Sequence, residues 1–453
     1  MQRRSFAGFF WKYELIFNSF SAACAVFLIG GVLVLNADGA ERATGSSNVN
    51  APTGQMTLDQ VVAAALEHNP ELNFYSAEIA AAKGEARTAA TWTNPELAAT
   101  VGDKRVTSGG LATEGVAWSV SVRQTFEWPG RIPLRKAIAN QQIQLAELGF
   151  AQFKAALAAR TRSVAYGLFA AQQKAVAARE VADRFHALRQ VLVQRDLAGI
   201  TPELELRIIE ATAITLLRKA SEAAVAEQAA LLELNQLRGQ PWQRALKVAP
   251  VGLAFTAAPE PDTLLMAARA NNFELRMRQV ELEQQGFKVD LAKKDVYPSF
   301  TVGPYFSQER AGERERQIGI GVSVPLPLWT RNEGNIESAA SRHKQAETSM
   351  YVTQRNIERQ VVEKSLMYRT KVTEMAKWRA ESVAEFRRAA ELADRHYRLG
   401  AVPIATYIEL QKQYLEAVEA LLETQREALE AAQQLELLTG LNINSVQSKS
   451  AKP

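Results

Sequence analysis

Histidine, cysteine and closely spaced carboxylates are the side chains able to hold a metal ion or move a proton, and in this chain they are dispersed. The four histidines are His68, His186, His343 and His396, and no pair stands at a metal-ligand spacing with cysteine or carboxylate. Cys24 is the only cysteine, so the chain carries neither an internal disulfide nor a thiolate cluster. No nucleophile, base and orienting group fall together, so the sequence predicts no enzyme, no cofactor and no resident metal. The formal charge of +4 over 453 residues, without a basic block, gives nucleic-acid binding no electrostatic footprint. Glu203, Glu205, Glu210 and Glu409 follow two Gly-x-x-Pro turns. Read as residues alone, they are solvated charges on helix surfaces.

The chain repeats itself. Asn69-Pro70-Glu71-Leu72 returns as Asn272-Phe273-Glu274-Leu275, and Pro95 as Pro298, both at an offset of 203. Trp128 returns as Trp329, Gly199-Ile200-Thr201-Pro202 as Gly400-Ala401-Val402-Pro403, and Gly239 as Gly440, all at an offset of 201. So long a period is a duplicated half-molecule rather than a solenoid unit. The expected organisation is a signal peptide over 1–39, a linker over 40–56, a first repeat over 57–256, a second over 257–441 and a flexible tail over 442–453. The signal reading rests on Arg3, Arg4 and Lys12 ahead of the apolar run Ala22–Leu35 and on the small-residue site Ala37-Asp38-Gly39. A single membrane anchor is the alternative for that run, which is shorter than the roughly 20 residues needed to span a bilayer.

Within each repeat, long stretches lack helix breakers. Residues 335–399 contain neither Gly nor Pro, and residues 131–198 tolerate Pro133 in the first turn together with Gly149 and Gly167. Each predicts a rod of about 100 Å at about 1.5 Å per residue. Shorter helices are expected over 58–92, 203–238, 262–296 and 404–439, and two laid end to end match one rod. The last carries a heptad of Tyr407, Tyr414, Leu421, Ala428 and Leu435, with Leu410, Ala417, Thr424, Ala431 and Leu438 three residues on. Its first-half counterpart is Ile209, Leu216, Ala223, Ala230 and Leu237.

Between short helix and rod the period changes from helical to 2. Leu97, Ala99, Val101 and Val116, Trp118, Val120, Val122 alternate with small or polar residues, as do Phe300, Val302 and Ile318, Ile320, Val322, Val324. One greasy and one polar face is the signature of a transmembrane β-barrel, here in hairpins over 95–128 and 298–329. Trp92, Trp118, Trp128, Tyr305 and Trp329 are expected as interfacial aromatics, and 103–114 and 308–315 as polar outer loops. Four strands cannot close a barrel, and open edges in lipid leave backbone groups unpaired, so the chain must oligomerise to complete its sheet; three copies would give twelve strands.

In this order, and twice, these features resemble the TolC family of outer-membrane efflux proteins. The likeness runs from Thr57-Leu58 through the Asn69 and Asn272 runs, the hairpins and the two turns. It implies a mainly α fold with a small β part: an internally duplicated coiled-coil α-barrel in the periplasm, continued by a 12-stranded β-barrel that a homotrimer completes in outer-membrane lipid. The turns Gly199, Ile200, Pro202 and Arg398, Leu399, Gly400, Ala401, Pro403 would then dock a periplasmic adaptor (a membrane fusion protein) coupled to an inner-membrane pump. Carried over by position, Glu205 and Glu409 would line the periplasmic entrance, while Ile208 and Thr406 depart from the acidic pattern. The runs Thr93–Leu97 and Gln124–Arg131 resemble the channel subunits of heavy-metal cation exporters. Multidrug export and type I protein or peptide secretion are alternatives, as is a periplasmic coiled-coil scaffold without a pore.

Overall fold

The computed structural model describes residues 55–108, 111–196, 203–249, 253–377 and 382–443. The signal region, the first turn (197–202) and the tail from 444 lie outside the described residues. β1 (Gln55–Met56) precedes the first repeat, whose span holds α1 (Leu58–His68), α2 (Glu71–Ala89), β2 (Glu96–Ser108), β3 (Leu111–Phe126), α3 (Arg131–Asp196), α4 (Glu203–Leu237) and β4 (Lys247–Val248). The second holds α5 (Pro261–Asn271), α6 (Phe273–Lys294), β5 (Phe300–Ala311), β6 (Glu313–Ser323), α7 (Glu333–Lys377), α8 (Ser382–Arg398) and α9 (Ile404–Thr439). No helix among the described residues is long and apolar enough to cross a membrane.

Each expected short leading helix is two helices, and the duplicated asparagine is the reason. Asn69 and Asn272 both adopt extended backbone, with ψ of 123° and 125°. The Asn69 side chain accepts from the Glu71 amide at 2.9 Å and donates to the Leu237 carbonyl at 2.9 Å. Asn272 accepts from the Leu275 amide at 3.1 Å and donates to the Leu438 carbonyl at 3.0 Å. Asn272 thus caps the start of α6, Asn69 takes the first amide of α2 from one residue before its Pro70 cap, and each satisfies an orphan carbonyl at the end of another helix. Gly440 follows at φ +67°, where a Cβ would lie 2.8 Å from Asn271 Cβ; Gly239 stands in the same place in the first repeat. The same Asn and Gly pair, 170 residues apart in the first repeat and 168 in the second, forms this lock twice.

The long rod α3 is the spine. It runs 66 residues, about 100 Å, and α1, α2, α4, α6 and α9 all pack along it. The largest apolar core lies around Tyr166, Leu168, Phe185, Ile209, Tyr407 and Leu429, all fully buried. The heptad of α9 is borne out but is only half of what the helix buries. Ile408, Gln411, Val418, Leu422, Leu429 and Ala432 are buried beside it, because α9 packs against α3 on one flank and α7 and α8 on the other. A two-sided helix suits a closed helical wall better than an isolated coiled coil.

The four long strands form one antiparallel sheet in the order β2-β3-β5-β6, the two hairpins meeting at β3 and β5 with Val120 opposite Phe306. The expected outer loops are largely strand: β2 and β3 stay paired to Ser108 opposite Leu111, and β5 and β6 to Ala311 opposite Glu313. Cross-strand ion pairs such as Lys104 with Glu309 and Arg105 with Glu114 accompany the ladder beyond the apolar rows. Period 2 continues there with charges in place of apolar residues. Sequence patterning by hydrophobicity therefore missed the ends of the strands.

Candidate functional site

The sheet has two chemically distinct faces. One carries the rows Phe126–Phe300, Leu97–Val122, Ala99–Val120–Phe306–Ile318 and Val101–Trp118, with Leu97, Val101, Ile318 and Ile320 between 74% and 80% exposed. Exposed aliphatics in such density need a solvent other than water. Along β3 the apolar set runs from Val116 to Phe126, about 33 Å of strand, or about 25 Å when tilted as barrel strands are. The opposite face carries Thr100 bonded to Ser119 at 2.7 Å and Thr125 bonded to Thr301 at 3.0 Å. Tyr305 is on this polar face, opposite Ser121 and with its ring over Gly319. It is not one of the interfacial aromatics, because its odd position shares the parity of Thr301 and Ser307. Trp118 stays on the apolar face against Phe306, at 5.2 Å. Trp92, Trp128 and Trp329 are exposed beyond the strand ends, as an interfacial position requires.

Arg131 joins this sheet to the helices. Its Nη1 donates to Ser299 Oγ at 2.8 Å, its Nε meets Asp295 Oδ1 at 2.9 Å, and its Nη2 donates to the Tyr297 carbonyl. Trp128 stacks on Tyr297 at 4.8 Å. One guanidinium from the first repeat thereby fixes the α6–β5 connection of the second. The run Gln124–Arg131 showed this residue only as part of a likeness; its role needed the neighbouring hairpin in place.

At the far end of the helices, α8 turns into α9. The Gly400 amide donates to the Tyr397 carbonyl at 2.9 Å and the Ala401 amide to the His396 carbonyl at 2.9 Å, the two bonds of a Schellman motif. Gly400 sits at φ +75° with no atom near its missing Cβ, so its requirement is conformational alone. Arg398, Leu399, Gly400, Ala401 and Pro403 are all exposed, Leu399 at 81%. Behind them Tyr397 stacks on Tyr407 at 5.2 Å, and Tyr407 packs on Phe185 at 5.1 Å. Burial, and then the charge of Asp394, push the Tyr407 hydroxyl above its ordinary range, so it remains a neutral donor to Asp394 at 3.4 Å. The exposed turn therefore stands on a rigid aromatic base.

Glu205 is half-buried on α4, and Glu409 is exposed on α9, accepting from Gln413 at 2.9 Å. Among the described residues no hydrogen bond or ion pair joins the two; α4 and α9 each pack on α3. Gly199, Ile200 and Pro202 lie outside the described residues. The histidines sit on four different helices, and no group of three or more His, Cys, Asp or Glu among the described residues could hold a metal ion.

Long helices ending in an exposed turn, continued by an amphipathic sheet with open edges, define one subunit of an outer-membrane channel with a periplasmic helical part. The pattern described as "Outer membrane efflux protein" matches residues 264–441, and the chain resembles the TolC-type outer membrane efflux proteins. These are transport proteins, not enzymes. The chain is 25% identical to the cobalt-zinc-cadmium resistance protein CzcC of Cupriavidus metallidurans, over 68% of this chain and 72% of that one. It is 26% identical to the nickel-cobalt-cadmium resistance protein NccC of Alcaligenes xylosoxydans (71% and 69%), and 22% identical to the pyoverdine export outer membrane protein OpmQ of Pseudomonas aeruginosa (84% and 84%). Its fold matches the Campylobacter jejuni CmeC outer membrane channel with a TM-score of 0.70 at 14% identity, over 93% of this chain and 96% of that one.

Proposed function

We propose that this efflux channel carries heavy-metal cations from the periplasm to the exterior, as the outermost part of a tripartite assembly. The carrying observation is the inward face at the outer mouth. Glu309, Glu313 and Glu315 share it with a single base, Lys104, which lies 2.5 Å from Glu309 and 3.1 Å from Glu315. Repeated around a trimer, this excess of carboxylate favours cations over anions. The similarity to two metal-resistance proteins supports the same substrate class. The exposed turn Arg398–Pro403 and its counterpart at Gly199, Ile200 and Pro202 dock the periplasmic adaptor, which an inner-membrane pump supplies. Glu205 and Glu409 line the entrance, and metal choice belongs to the pump. The similarity to OpmQ over 84% of the chain favours a second reading, export of an organic molecule.

Deleting the gene and restoring it on a plasmid separates the two. Tolerance to cobalt, zinc or cadmium salts should fall on deletion and return on complementation. A strain that keeps its metal tolerance but becomes sensitive to dyes or antibiotics, or retains a siderophore, overturns the cation reading.

A further inference from the structure

The residues 309–316 read Glu-Arg-Ala-Gly-Glu-Arg-Glu-Arg. On strands of period 2 this run places every glutamate on one face and every arginine on the other. Glu309 opposes Glu315 on the inward face, and Arg310 opposes Arg314 on the outward face. Arg316 lies one row nearer the apolar band, two residues from Arg314 and in the row that Gln308 shares with Trp118.

Like charges directly opposed across a strand pair destabilise it unless something neutralises them. The two faces differ in how this is met. On the inward face Lys104 reaches both Glu309 and Glu315. On the outward face nothing corresponds. Arg310, Arg314 and Arg316 are exposed, and among the described residues none makes an ion pair; Arg314 is held only by Gln308 Oε1 at 3.0 Å. The other outward charges do not serve: Glu114 is taken by Arg105, and Asp103 stands one strand further away, opposite Val116. The missing counter-charge has to come from outside the chain.

Position identifies the donor. The helices join the strands at Phe126 and Phe300, so the three arginines sit at the opposite, extracellular end, Arg316 in the last lipid-facing row and Arg310 and Arg314 just above it. Trp118, in the row of Arg316, has the amphipathic ring favoured at the headgroup level. We propose that Arg310, Arg314 and Arg316 form a binding site for the phosphates of a phosphorylated glycolipid of the outer leaflet. Guanidinium groups pair with phosphate oxygens through two parallel hydrogen bonds. Three arginines within two adjacent rows can engage both phosphates of one such lipid, and each subunit would carry one site. Bound lipid relieves the Arg310–Arg314 repulsion and sets the height of the barrel in the membrane.

The test uses the full-length trimer, extracted and stripped of lipid in mild detergent. Bis-phosphorylated lipid A, the same lipid A without phosphates, and phosphatidylglycerol are added separately, and bound lipid is counted by native mass spectrometry. The phosphorylated lipid A should bind at least about tenfold more tightly than either other lipid, and high salt should erase most of that difference. The R310Q/R314Q/R316Q variant should lose the preference, whereas R160Q/R218Q/R359Q, which removes the same charge from exposed helix surfaces, should keep it. Equal binding of the two lipid A forms, a preference untouched by salt, or a triple variant that retains it overturns the proposal. Phosphatidylglycerol bound as tightly as lipid A overturns the glycolipid assignment. If the triple variant does not assemble, R316Q alone decides by the same comparison, since that residue has no opposed arginine.

Discussion

The helical body and the sheet of this subunit solve burial in opposite ways. In the body, Tyr166, Tyr368, Tyr407 and Phe185 are completely buried within one chain, and Gln411, equally buried, donates to the Ala390 carbonyl at 2.7 Å and accepts from Arg184 at 3.2 Å. In the sheet, Val101 and Ile318 are each 80% exposed, and β2 and β6 have a free edge. A helix satisfies its own backbone and needs neighbours only for one or two faces, whereas a strand leaves half its backbone groups to the next strand. The body can therefore be largely complete as a monomer. The sheet becomes complete only when neighbouring copies pair its edges and lipid covers its apolar face.

Charge on the two faces of the sheet gives the largest expected contrast. Ile320→Arg places a charge on the lipid face near the middle of the band and should cost about 2–4 kcal/mol per subunit, enough to empty the outer membrane of trimer. Ser121→Arg on the inward face should leave trimer yield near wild type. Comparable losses from both would show that the two faces are not lipid and lumen.

The body should respond differently. Asn272→Ala removes a cap and leaves the Leu438 carbonyl without its side-chain partner, a loss of about 1–3 kcal/mol. Asn69→Ala should cost a similar amount, because the same lock recurs in the first repeat. Thermal unfolding followed by circular dichroism of the purified trimer measures both, and a large effect from only one would break the equivalence of the repeats.

At the exposed end of the body, Gly400→Val forces a branched residue to positive φ, worth about 1–3 kcal/mol locally. Export should be lost while heat-resistant trimer persists. Trimer and export falling together would mark the turn as a folding element instead.

The smallest expected structural effect, and the most specific functional one, belongs to the entrance. Glu205→Gln with Glu409→Gln removes six charges from a trimer without changing side-chain size. In planar bilayers the double variant should lose part of its cation preference and its block by multivalent ions from the periplasmic side. Glu416→Gln is the suitable control, since Glu423 and Glu427 are held in ion pairs with Arg426 and Lys371. Unchanged selectivity would make Glu205 and Glu409 ordinary surface charges.

Much of this was legible in the chain. The duplication, the long rod α3, the heptad on 404–439 and the alternating strands follow from period and composition, because backbone geometry repeats wherever the side-chain pattern does; the stretch 335–399, expected as one rod, is described as α7 and α8. The breaks at Asn69 and Asn272 were visible as landmarks but not as breaks, since the carbonyls they satisfy lie 168 and 166 residues away. Tyr305 reads by its type as an interfacial aromatic, but its row puts it on the polar face opposite Ser121. The role of Arg131 depended on Ser299 and Asp295 arriving from the other repeat.

By itself, then, the sequence determined the helical or extended character of most segments and their twofold repetition, since these depend on contacts within a few residues. The tertiary structure decided which rows of side chains face together, which charges are neutralised and which are left for lipid or a second copy. Those outcomes depend on strand register and helix packing, which bring together groups separated by about half the chain, and no local pattern encodes them.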